Sequence, residues 1–241
     1  MSVPLQRSAA VVALLGLFVL PPCLSFGQTI FYEVVPKFLG FPESSDVLRV
    51  GGLAFRGGFW LLSLVGAGAA AVGVGSHVLA TPVRAVAGGW VLFRTVGFVL
   101  GIVYTLSRLD GAPLPLEGDP MVLVRAGTSA LSSLFEVGLM GLLIAWLVGG
   151  RPVWMAVVAG MAAVGIGLSS LFWTGLSLVD AFTRWAGGST LGGWIGTVYS
   201  SEALTFGSTG LDVCLGFTLA MVLSGAVAMW PREDGGAAGA R

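Results

Sequence analysis

From its first residues the chain alternates long apolar runs with short polar breaks. The runs reach or exceed the roughly 20 residues that a helix needs to cross a hydrocarbon core. Six spans are predicted, at about 8–27, 51–80, 84–108, 121–149, 152–179 and 209–230. The period-two alternation of a membrane β-barrel is absent. The expected fold is therefore an all-α integral membrane protein, a bundle of about six transmembrane helices. Residues 1–231 read as one transmembrane domain and 232–241 as a short polar tail without fixed structure. The first run follows MSVPLQR and has the outline of a signal peptide. No small-x-small site follows it, so it is read as an uncleaved helix.

The breaks differ in length. TPVR and GGRP are read as tight turns after the second and fourth spans, whereas 28–50, 109–120 and 180–208 are long. The last of these carries Trp185, Trp194 and Tyr199 among many Gly, Ser and Thr residues. Trp and Tyr favour the headgroup level, so it is expected to be an interfacial or re-entrant segment before the last helix.

Composition agrees with the pattern. Hydrophobic residues make up 56% of the chain and charged residues 10%, against about 25% charged in a soluble domain. The lipid bilayer is the first expected partner. With no net charge and no basic cluster, nucleic acid is not expected. One lysine, Lys37, stands against eleven arginines, and asparagine is absent, which suits a GC-rich prokaryotic genome and a plasma (inner) membrane. An even number of spans puts both termini on one side, with Arg7, Arg84, Arg151, Arg232 and Arg241. Lys37, Arg49, Arg56, Arg108, Arg125 and Arg184 fall on the other side with nearly all loop acids. The arginine before the first helix and the acid-free basic turns place the termini in the cytoplasm.

Two charges interrupt the apolar pattern. Arg94 precedes Arg108 by 14 residues and Glu136 follows Met121 by 15, depths of roughly 21 and 22 Å on adjacent antiparallel helices. Each charge alone at mid-membrane costs about 2.5–3.5 kcal/mol. Equal depth lets the two meet as a charge-assisted pair. Polar stripes lead to them. Arg125, Ser129, Ser132 and Glu136 share one helical face, as do Ser170, Thr174, Ser177, Asp180 and Arg184. Arg94, Gly97, Gly101, Thr105 and Arg108 form a small and polar face, and the last span opens with Thr209 and Asp212. The opposite halves of these helices are almost wholly apolar. The expectation is a polar cavity open to the outside with Arg94 and Glu136 at its floor. The competing reading is structural: hydroxyls that bond backbone or glue helices, and an ion pair that sets register.

Other chemistry is sparse. The single histidine, His77, sits near an inner helix end and suits a capping role. No GxSxG motif occurs, and nothing calls for a metal or cofactor. Cys23 and Cys214 have matching depths near the outer surface. A disulfide between them is one alternative; free thiols are the other, because sequence specifies depth but not azimuth. Similar stretches, GAAAVGVGS and GMAAVGIGLS, do not extend into a repeat, and their glycines are read as points of close helix approach.

The leading functional expectation is a small transporter or channel-like protein. Arg94 would hold an anionic group or tune Glu136, and Glu136 would accept the coupling ion or proton. The alternative is a non-catalytic membrane subunit contacting partner helices, lipid or pigment, as a homo-oligomer or with other subunits. A membrane-embedded enzyme is third. A cavity reaching Arg94 within one chain favours the first, and a filled bundle with a flat apolar face favours the second.

Overall fold

A computed structural model describes residues 3–40, 46–109, 120–186, 198 and 201–230. Helix α1 (Val3–Leu14) runs through a π-helical turn (Leu15–Val19) into α2 (Leu20–Glu33) and α3 (Val35–Leu39). Then come α4 (Asp46–Gly73), α5 (Ala80–Leu109), α6 (Pro120–Val148), α7 (Val153–Trp185) and α8 (Glu202–Ala228). Six helical stretches are long and apolar enough to cross a membrane, the first being Pro4–Phe38. Among the described residues there is no strand. The protein is an all-α, six-span membrane bundle.

Each span packs on its chain neighbour, and α8 closes the ring against α1, the π turn and α2. The first span has a local cause for its irregularity. Pro21 and Pro22 carry no N–H, so the carbonyls four residues earlier lose their helical donors. The chain widens into the π turn just before them, where Leu20 N–H bonds to Leu15 O. Gly216 of α8 meets this widened stretch at the Phe18 carbonyl and the Pro22 ring.

Some boundaries differ from expectation. Residues 28–39, read as part of a loop, are helical. Their apolar side chains have a surface to bury against: Phe31 packs on Phe55 at 5.5 Å between ring centroids, and Tyr32 Oη donates to Leu48 O at 3.2 Å. The turn after α4 falls at 74–79 rather than at TPVR, because Gly75 supplies the left-handed φ of 56°. Pro82 then lies inside the first turn of α5, where no N–H is required. His77 Nδ1 accepts from Leu79 N–H at 3.2 Å, a local bond at the entrance to α5. Of the expected interfacial segment 180–208, residues 180–185 continue α7 and 202–208 open α8, while 187–197, 199 and 200, like the tail 232–241, lie outside the described residues.

Three arginines of the terminal side, Arg7, Arg84 and Arg151, cap helix ends. Arg84 donates to Ala71 O and Gly75 O at 3.2 and 2.8 Å, satisfying carbonyls at the end of α4. Arg151 donates to Met229 O at 3.0 Å, and Arg7 donates to Trp230 O, both at the end of α8. Cations suit these positions because the last carbonyls of a helix are unsatisfied and the dipole is negative there.

Candidate functional site

The two halves of the bundle are built differently. In the half nearer the termini, Ala13, Leu14, Ala70, Val83, Leu143, Leu147, Ala159, Leu219 and Leu223 form one buried apolar cluster. The other half contains a cavity of about 900 Å3. Its walls come from all six spans, and its floor reaches Arg94, Glu136 and Met140. Small and hydroxylated residues at the wall positions leave the space that large apolar side chains fill in the other half.

Most of the expected site residues line this cavity: Arg94, Arg125, Ser129, Ser132, Glu136, Ser170, Ser177, Asp180 and Asp212. Thr105 and Thr174 stand behind the wall. Thr105 is buried, donates to Gly101 O at 2.9 Å and accepts from Arg56 Nη1 at 3.4 Å. Thr174 shares a 2.9 Å bond with Ser133 and ties α7 to α6. The structural reading of membrane hydroxyls therefore holds for that residue.

Arg94 and Glu136 share the cavity but make no direct ion pair. The Arg94 side chain turns toward α4 instead. Its Nε donates to Ser63 Oγ at 3.4 Å, and its guanidinium lies 5.9 Å from the ring centroids of Phe59 and Trp90. Arg94 is nonetheless the opposite charge that acts on the Glu136 carboxylate. Glu136 remains partly accessible despite its depth, because the cavity reaches it. On α8, Asp212 Oδ2 accepts from Ser169 at 3.0 Å, while Oδ1 is buried without a partner. Ser132 Oγ, one helical turn above Glu136, is likewise buried and unpartnered. Such groups are costly inside a membrane unless something in the cavity satisfies them.

Several lining residues were not anticipated. Arg56, counted with the outer charges, lines the cavity and donates to Gly101 O at 3.4 Å. Trp60, Tyr104, Ser169 and Trp173 also line it. Trp60 Nε1 donates to Thr95 Oγ1 at 3.0 Å and Trp173 Nε1 to Ser208 Oγ at 3.2 Å. The spacing Arg56, Trp60, Ser63 was the legible signal, since steps of four and three keep one face.

The disulfide alternative is corrected: both cysteines are free, and Cys214 is exposed. Spans one and six do pack together, but α8 meets the first span at Gly216, and the buried Leu219 and Leu223 lie one and two turns along the same face. Cys214, two residues from Gly216, points about 200° away from it.

Comparison with protein-family models, with curated proteins and with solved structures gave no match.

Proposed function

We propose that this membrane protein is a small transporter or channel-like protein that takes a small solute, ion or proton into its cavity from the side opposite the termini. Glu136 is the coupling or proton-accepting group, and Arg94 tunes it or holds an anionic group. The observation that carries this reading is the cavity itself, which reaches Arg94 and Glu136 within a single chain. A bundle serving only as a scaffold gains nothing from leaving this volume open, since packing it with apolar side chains would stabilise it. Intramembrane ionisable groups facing a cavity are where ion and substrate pathways are found. The half nearer the termini is closed by Leu139, Leu143, Leu147, Leu219 and Leu223. Passage therefore requires that half to part, which suits alternating access better than a standing pore.

The test must separate function from folding. Arg94 and Glu136 are opposite charges in one cavity although not in contact, so Arg94→Ala or Glu136→Ala leaves the other without its counter-charge inside the membrane and harms folding whatever its role; neither single change is diagnostic. The double change Arg94→Met with Glu136→Leu removes both charges and roughly keeps volume. It is expected to fold, by thermal unfolding in detergent, and to lose solute uptake in cells or dye-reported proton flux in liposomes. A stable and fully active double variant would overturn the proposal.

A further inference from the structure

The mouth of the cavity holds a second charge cluster, distinct from its floor. Arg56 on α4 and Arg125 on α6 both line the cavity and act on one another as like charges. Among the described residues neither has a carboxylate within ion-pair distance. What they have is neutral, including a side-chain hydrogen bond between Arg125 and Tyr104. Arg56 makes two 3.4 Å bonds, to Gly101 O and Thr105 Oγ1, and Arg125 lies 4.2 Å from the Tyr104 ring centroid. Two guanidinium groups side by side in a membrane domain repel each other and lose hydration. Among the described residues the carboxylates of the cavity, Glu136, Asp180 and Asp212, line its wall without pairing directly with either arginine.

We infer that Arg56 and Arg125 form a binding subsite for the oxyanion head of an organic anion. This rests on the reading of the cavity as a ligand chamber and names the ligand's class. The guanidinium fork matches the oxygens of a carboxylate or phosphate, and paired forks match a doubly charged group best. The neighbouring wall suits an apolar or aromatic body. Trp60 and Phe98 are stacked at 5.3 Å between centroids, and Phe59 and Phe93 line the same cavity. A volume of about 900 Å3 is within the range of small-molecule pockets, about 300–1,000 Å3. The oxyanion is carried either by a free solute or by a lipid headgroup.

Binding is tested apart from transport, on the full chain in nanodiscs of phosphatidylcholine, by titration calorimetry. The probes are phenyl phosphate, inorganic phosphate and benzylammonium. Phenyl phosphate is expected to bind best, inorganic phosphate more weakly, and benzylammonium not at all. Arg56→Gln and Arg125→Gln should each weaken phenyl phosphate by about tenfold or more, whereas Lys37→Gln, on the exposed surface, should leave it unchanged. Arg56→Lys and Arg125→Lys keep the charges but lose the forks. They should fold if the glutamine variants do not, and should still bind measurably less well than the parent. Repeating the titration in phosphatidylglycerol discs separates the sources: equal affinity supports a free solute, and weaker apparent affinity supports a competing headgroup. Benzylammonium binding as tightly as phenyl phosphate, or unchanged affinity in the arginine variants, would overturn the assignment. An active Arg94→Met, Glu136→Leu variant alongside intact phenyl phosphate binding would sink the transport reading alone.

Discussion

Cys214 shows what a residue's place in the sequence does and does not say. Its depth was legible, because depth is a count of residues from a helix end. Its direction was not, because helix rotation is set by neighbouring helices. Gly216, Leu219 and Leu223 are among the residues that α8 buries, and they turn Cys214 outward. Arg94 follows the same rule: its depth was legible, while Ser63 and Phe59 on α4 decided where its guanidinium went. The free thiols lead to an expectation. A disulfide closing so long a loop would contribute about 2–4 kcal/mol. Thermal unfolding in detergent should therefore be the same with and without reductant. A fall of several degrees on reduction would show that the two cysteines are bridged.

Among the elements, the first span depends most on its own sequence. The Pro21–Pro22 pair removes two N–H donors, and the helix answers with a π turn. Leu17 and Phe18, on that turn, line the cavity. Gly216 is the counterpart on α8: a Cβ there would collide with the Phe18 carbonyl oxygen, which is backbone and has no rotamer to escape into. Gly216→Ala is expected to destabilise the bundle by about 1–3 kcal/mol, the usual range for overpacking. Gly160→Ala, where nothing lies within 4 Å of the added carbon, is the matched control. Equal melting temperatures for the two variants would show that α8 does not approach the first span this closely. Of the glycines expected at close contacts, Gly73 and Gly165 fit, against Trp146 and Leu215, while Gly68 and Gly160 face open space.

For the whole molecule, the unequal filling of the two halves makes a prediction about access. In a cysteine-free background, Ser129→Cys and Ser177→Cys should react with a charged, water-soluble methanethiosulfonate, because both positions line the cavity. Leu143→Cys and Leu223→Cys should not, because both sites are fully buried. Reaction should occur only from the side opposite the termini, read by adding the impermeant reagent to right-side-out or inverted vesicles. Labelling of Leu143→Cys at the rate of Ser129→Cys would mean that the apolar half is not closed.

The chain alone was enough to read the class of molecule, the number of spans and the polar half. Those follow from run length and from helical periodicity, which are local properties of the chain. It also placed Arg94, Glu136, Arg125 and Asp212 at the heights where they line one cavity. Which groups touch was settled by packing between the helices. Arg56 became a wall residue beside Arg125, Arg94 bonded to Ser63 rather than Glu136, and Thr174 joined Ser133 behind the wall. Helix rotation, tilt and side-chain direction depend on packing between segments far apart in the chain. A pattern along one helix constrains height within a bilayer, whereas the bonding partner is chosen by the helix beside it.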